Sequence, residues 1–392
     1  MLNTAFSPWP SFTSEEIEAV SNVLASNKVN YWTGQEGRQF EQEFAQFSDC
    51  QYAVAVANGT LALDLALASL ELSTGDEVIV TSRTFIASVS SIINAGATPV
   101  FADVELDNQN ISAQTIEAVM TDKTKAIICV HLAGWPCDMD PIMALAKANN
   151  LSVIEDCAQA HGAKYKGRSV GSIGDIGAWS FCQDKIMTTG GEGGMLTTNN
   201  ESIWRKAWAF KDHGKSYHAV YEKQHPPGYR WLHESFGTNW RLTEMQSAIG
   251  RIQLTRMPLW FEKRNQYAQA IFNACQPFEF IDVPSVPEDI EHAFYKCYVQ
   301  VKPDLLPQGI NRDTIIQQFS DAGIPCFSGS CSEVYNEKAF DNTNFRPDSP
   351  LPNAVELGET SLMFLVHPTL TDLEIEKTCN VITDIFQTIK NG

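Results

Sequence analysis

The chain has 392 residues, 44% of them hydrophobic and 19% charged, with a net charge of -19 and a pI near 4.8. That length supports a large buried core in two or three domains. The acidic balance argues against a nucleic-acid partner, which wants a basic footprint, and no run approaches the roughly 18 apolar residues of a membrane span.

The chain opens on MLNTAFSPWPSFTSEEIEAV, which has no basic segment ahead of an apolar one. No export signal is expected, and the expected setting is the cytoplasm. Over the first 250 residues, apolar runs alternate with helix-like segments. GTLALDLALASL (59–70) sets leucines at 61, 65 and 70, with 63 and 67 beside them, as a helix does. DEVIV (76–80), TPVFADV (98–104) and KAIICVHLAG (125–134) read as buried strands with their exits. DPIMALAKANN (140–150) predicts a helix with Asp140 as N-cap and Pro141 at its first position. LSVIEDCAQAHGA (151–163) and IGAWSF (176–181) return to strand. Strands alternating with helices predict α/β units on a mainly parallel sheet.

The pattern then changes. TEMQSAIGRIQLTRMPLWFEKRNQYAQAIFNAC (243–275) predicts a long helix capped by Thr243. YKCYVQV, INRDTIIQQFSDAGI and LTDLEIEKTCNVITDIFQTIK predict a smaller α+β unit. The expected division is a large α/β domain over 1–250 and a small C-terminal α+β domain over 251–392. Ten cysteines lie singly between Cys50 and Cys379, none in a C-x-x-C pair. They read as reduced, mostly buried thiols, and no metal site is expected.

Three motifs carry chemistry. In VANGTLALDLAL an apolar strand ends at Asn58-Gly59-Thr60 and a helix begins. Free amides and the helix dipole make such a turn an anion site, with the Thr60 hydroxyl added; the other reading is an ordinary cap. In VIEDCAQAHGA, Glu155 and Asp156 sit at a strand exit, followed by Gln159 and His161. Carboxylates there need a cation, a cap or an ion pair, and a protonated pyridinium nitrogen is one such cation. In IGAWSFCQDKIMTTGGEGG, Ser180 and Lys185 fall at the far end of a strand, ahead of glycines 190, 191, 193 and 194. A solvated lysine is one reading; a partly desolvated lysine that attacks a carbonyl is the other. In this order on one sheet, a phosphate cup, a strand-end aspartate and a strand-end lysine meet the needs of pyridoxal 5'-phosphate.

The successive blocks GQEGRQFEQEFAQF, AVAVANGTLALDLAL, GDEVIVTSRTFIAS, AGATPVFADVE, VIEDCAQAHGA, GSIGDIGAWSFCQDK, GEGGMLTT and GTNWRLTEMQSAIGRIQL cover nearly all of the chain. In them the sequence resembles the DegT–StrS type of sugar aminotransferase. The resemblance implies fold type I, with a mainly parallel seven-stranded sheet between helices. It implies an aminotransferase that moves an amino group from an amino acid, glutamate by preference, to a keto or aldehydo sugar by a ping-pong Schiff-base route in surface-polysaccharide or lipopolysaccharide sugar synthesis. Residue by residue, it makes Lys185 the covalent lysine, Asp156 the ring-nitrogen partner and Gln159 a neighbour of the ring and its hydroxyl. Phe85 becomes the aromatic against the ring face, and Gly59, Thr60 and Ser180 the phosphate cup. Asn239 becomes the reach into the neighbouring subunit's phosphate, hence an obligate homodimer.

Two stretches depart from the commoner pattern. One is CQD ahead of Lys185. The other is the long 213–236 segment with His213, His218, His225, Arg230 and His233, a solvated loop or a substrate-facing one. That segment and RWLHESFGTNWRLTEMQ resemble the branch that aminates the oxidised C8 of the acid sugar Kdo. This branch implies a cation for the sugar carboxylate, with Arg83, Arg230 and Arg241 as candidates, and His161 as a further substrate contact. The alternative acceptor is a nucleotide-linked keto sugar. A dehydratase of the same family carries histidine in place of Lys185, and a non-catalytic regulator carries a basic DNA-binding segment; neither feature is in the sequence.

Overall fold

The computed structural model describes residues 5–391; residues 1–4, part of the stretch read for an export signal, and residue 392 lie outside it. The strands, in chain order, are β1 Tyr52–Val56, β2 Glu77–Thr81, β3 Thr98–Ala102, β4 Thr124–Val130, β5 Ser152–Asp156, β6 Lys164–Tyr165, β7 Arg168–Ser169, β8 Ile176–Ser180, β9 Gly194–Thr198, β10 Ile281–Asp282, β11 Ile290–Glu291, β12 Cys297–Val301, β13 Cys326–Phe327 and β14 Ser361–Phe364. The helices are α1 Ser14–Ala25, α2 Glu36–Phe47, α3 Gly59–Ser69, α4 Ala87–Asn94, α5 Ala113–Glu117, α6 Met139–Asn149, α7 Glu201–Lys211, α8 Glu244–Cys275, α9 Arg312–Asp321, α10 Pro352–Thr360 and α11 Asp372–Asn391.

Seven strands form the main sheet in the order β1-β9-β8-β5-β4-β2-β3. All run parallel except β9, which is antiparallel to both β1 and β8. The strands are short continuous apolar runs because both faces are covered. Alternate residues serve opposite cores. Val78, Val80, Ala126, Ile128 and Ile154 pack with α3 and α4, whereas Ile79, Ile127, Cys129 and Val153 pack with Ile116 of α5 and Ile142 and Ala146 of α6. This is an α/β fold, as the alternation of strands and helices predicts.

The α6 cap differs from expectation. The helix starts at Met139, and Asp140 lies inside its first turn, where it pairs with Lys166 and Arg168. Two cations on the β6–β7 hairpin outcompete a capping role for that carboxylate. At α8 the expected cap forms: the Thr243 side chain and Gln246 make a reciprocal capping box.

A second core gathers Tyr267, Ile271 and Phe272 of α8 with β12, α9, β14 and α11. The N-terminal part of α8, through Met257 and Trp260, packs instead with Phe40, Phe44 and Trp179 of the large unit. Residue 251 therefore falls inside a helix shared by both cores. Val334, Tyr335, Phe340, Ala354 and Leu357 also return to the large sheet's cores, although they lie late in the chain.

Candidate active site

The exits of β1, β2, β5 and β8 meet at one end of the sheet. At the first, Asn58 caps α3 by accepting from the Leu61 N–H at 2.9 Å, which leaves the first amides of the helix directed outward. Gly59 packs directly on β8: a Cβ there would stand 2.5 Å from the Ser180 Cβ. On the other side, a Cβ on Gly194 of β9 would run into the Asn58 carbonyl. Gly59 and Ser180 thus pack together, with Thr60 next in the first turn of α3, a set of amides and hydroxyls whose chemistry suits a phosphate. Of the four glycines after Lys185, Gly190 and Gly191 have positive φ, 89° and 120°, and turn the chain back into β9.

At the β5 exit the two carboxylates part, because neighbouring strand residues point to opposite faces. Glu155 is fully buried and accepts from the amides of Gly171, Ile173 and Gly174 and from His131 Nε2 at 3.0 Å. His131 Nδ1 accepts from the Cys137 N–H, so the ring proton lies on Nε2, facing Glu155. His131, Glu155 and Cys157 lie close enough together to hold a metal, but the His131 and Glu155 ligand atoms already serve hydrogen bonds. Asp156 faces the site. Its Oδ2 accepts from Ser88 Oγ at 2.8 Å and its Oδ1 from the Ala158 N–H at 3.1 Å. Burial raises its carboxyl above the usual range, against the pull of those two donors, Lys185 and His131. Gln159 is oriented through its carbonyl oxygen, which accepts from the Ala133 N–H at 2.8 Å.

Lys185 lies on the loop after β8. Its carbonyl accepts from Trp9 Nε1 at 2.8 Å, which fixes its backbone from the N-terminal segment. Its Nζ stands 5.1 Å from the centroid of the Tyr295 ring. Phe85, just beyond β2, leaves 69% of its surface exposed, so its ring face is free to cover a planar ligand.

The expected substrate contacts are placed differently. Arg83 is fully buried and donates to Gln109 Oε1, the Ser330 carbonyl and Ser361 Oγ, over the Tyr298 ring. It ties the β2 exit to β12 and β14 rather than facing open space. His161 is also fully buried, among Phe44, Trp179 and Phe181. Burial, with Lys185 and Arg264 adding to it, pushes its pKa down to about 3, so it is neutral at working pH. Arg241 bonds Asp212 Oδ1 at 2.5 Å, a buried carboxylate that Lys215 also reaches. Arg230 and Asn239 are exposed on the 213–240 segment. Ser88 was not singled out from sequence, although its place four residues after Thr84, whose hydroxyl it meets at 2.8 Å, was a local signal. The Tyr295 approach to Lys185 had none, since 110 positions separate them in the chain.

A phosphate cup, a buried carboxylate aimed at the site, an open aromatic face and a lysine amine together fit pyridoxal phosphate.

Comparison with known proteins agrees. Residues 10–383 match the model of the DegT/DnrJ/EryC1/StrS aminotransferase family. GDP-perosamine synthase of Escherichia coli O157:H7 is 41% identical over 289 residues, 73% of this chain and 75% of that one. The dTDP-3-amino-3,6-dideoxy-alpha-D-galactopyranose transaminase of Aneurinibacillus thermoaerophilus is 38% identical over 371 residues, 95% of each chain. The X-ray structure of an aminotransferase from Psychrobacter cryohalolentis superposes with a TM-score of 0.98 at 66% identity, over 98% of this chain and all of that one. The chain belongs to the DegT/DnrJ/EryC1/StrS family of pyridoxal-phosphate-dependent, fold-type I sugar aminotransferases.

Proposed function

We propose that this aminotransferase takes a nucleotide-linked keto sugar as acceptor, rather than oxidised Kdo. The observation that carries the reading is the fate of the arginines a sugar carboxylate would need. Arg83 is buried and committed to three protein acceptors, and Arg241 is paired with Asp212. Only Arg230 stays uncommitted among the three, on an exposed segment. Relatives named for GDP- and dTDP-linked sugars support the same reading. The experiment is a direct comparison of GDP-, UDP- and dTDP-linked keto sugars with oxidised Kdo, read as 2-oxoglutarate released from glutamate. Turnover of oxidised Kdo with none of the nucleotide sugars overturns it.

In this reading Gly59, Thr60 and Ser180 hold the cofactor phosphate, Asp156 holds the ring nitrogen protonated, and Phe85 and Gln159 orient the ring. When bound, the cofactor supplies an electron sink for the carbon that loses its proton. Lys185 supplies the attaching amine and, once freed by the amino donor, its Nζ takes the donor's α-proton. Lys185→Ala abolishes turnover and the visible absorbance of the attached cofactor; full activity in that variant sinks the assignment.

The working unit in this reading is a homodimer, with Asn239 reaching the neighbouring phosphate cup. Its exposure, and that of Tyr229, Trp231 and Phe236 on the same segment at 77–99%, support a covered face there. The test is complementation: Lys185→Ala and Asn239→Ala proteins, each inactive alone, regain activity when mixed dimers form. No recovery counts against a shared site.

A further inference from the structure

One group beside the lysine has no part in the chemistry above. Tyr295, on the segment entering β12, is buried and donates its hydroxyl to the carboxylate of Asp184, the residue immediately before Lys185. Its ring carries two amines: Lys185 Nζ at 5.1 Å from the centroid and Lys296 Nζ at 4.8 Å. Both lie within the range of cation–π attraction.

We propose that Tyr295 is a positioning residue that holds the Lys185 amine while that amine is not bonded to the cofactor, and that Asp184 fixes the ring in place for it. In transamination the amine is covalently bound for part of the cycle and free for the rest. A long, flexible lysine freed in an open site has many rotamers to visit, and a defined resting place limits that search. The ring face supplies one without a hydrogen bond to break before the amine acts.

The charges around the amine fit this role. Asp156 and Asp184 are the carboxylates acting on it, Arg264 and Lys296 are nearby cations, and His161 is neutral. Burial, helped by Arg264 and Lys185, lowers Lys296 to about 8, so its competing charge on the ring weakens just above neutrality. Asp184 stays ionised: burial pushes its carboxyl up, but Lys185, Tyr295 and Lys296 outweigh that.

The proposal rests on Lys185 being the covalent lysine, and the test separates the two claims. Borohydride reduction of the holoenzyme and peptide mapping first locate the cofactor-bearing lysine; a tag elsewhere than Lys185 overturns both. With the tag at Lys185, pulse acetylation of the cofactor-free, full-length protein at pH 7.5 reads the Lys185 amine by mass spectrometry. Tyr295→Leu removes the ring attraction that favours the charged amine, so Lys185 labels about 2- to 5-fold faster. Tyr295→Phe keeps the ring but loses its bond to Asp184, so Lys185 labels faster than in the parent and slower than in Tyr295→Leu. Asp184→Ala, with the thermal midpoint as a check on folding, moves labelling in the same direction as Tyr295→Leu. In the loaded enzyme, Tyr295→Leu lowers kcat and leaves KM for the amino donor unchanged. Lys185 labelling unaltered in both Tyr295→Leu and Asp184→Ala overturns the proposal and leaves the lysine assignment standing.

Discussion

Ser88→Ala probes the support of the site's buried carboxylate. Ser88 is itself buried on α4, and its Oγ donates to Asp156 Oδ2 at 2.8 Å, one of two hydrogen bonds to that carboxylate. A hydrogen bond to an ionised group contributes about 1.5–3 kcal/mol, which corresponds to about one to two pH units in the carboxyl's pKa. Burial already holds that pKa above the usual value. In the proposed reading the Asp156 anion pairs with the cofactor ring; it is present above the pKa and lost as pH falls through it. Removing the hydroxyl moves this loss upward toward neutrality. The expected result is an acid limb of cofactor binding displaced to higher pH by about one to two units, with the loss of affinity growing as pH falls through it. The assay is absorbance titration of cofactor into the cofactor-free protein between about pH 5.5 and 8.5, with the thermal midpoint as a check on folding. A folded Ser88→Ala protein whose acid limb is unchanged rules out this role for Ser88.

Gly59→Ala sets a methyl 2.5 Å from the Ser180 Cβ and forces α3 away from β8; overpacking of this kind costs about 1–3 kcal/mol. The thermal midpoint falls and phosphate-dependent cofactor binding falls with it, whereas binding of unphosphorylated pyridoxal changes less; equal losses for both ligands count against the cup. Arg83→Met leaves Gln109, Ser330 and Ser361 without their donor and lowers stability by about 2–4 kcal/mol; urea unfolding checks this, and an unchanged midpoint with a raised acceptor KM returns Arg83 to substrate binding. Burial lowers the folded-state pKa of His161 to about 3, below its unfolded value. Between about pH 3 and 6.5 the unfolded chain therefore binds the extra proton, and stability falls as pH drops through that window. From pH 6.5 to 5 the loss attributable to His161 is about 2 kcal/mol. His161→Gln removes that part of the slope in urea titrations at the two pH values, and an identical slope refutes it.

Of the CQD that leads to Lys185, the fold accounts for Asp184. Asp184 is bonded to a tyrosine 111 positions away, so no window of sequence around the lysine contains the reason for it. The arginines follow the same logic. Arg83 sits beside Phe85 in the chain and looks available there, but the packing of β12 and β14 over the β2 exit encloses it. His161, two residues past Gln159, likewise turns into an aromatic core rather than toward ligand.

The alternation of strands and helices, the turn that opens α3 and the place of Lys185 after β8 were readable from the chain alone. Those are local matters: short-range propensity, caps and the two-residue period of a strand govern them, and all are written in neighbouring residues. Which buried polar groups serve the site and which serve the scaffold depends on contacts that form across the fold. Ser88 against Asp156, Tyr295 against Lys185 and Arg83 against Ser361 are contacts across the fold. Their energies come from burial and from partners that the chain brings together only once the two cores have closed around α8.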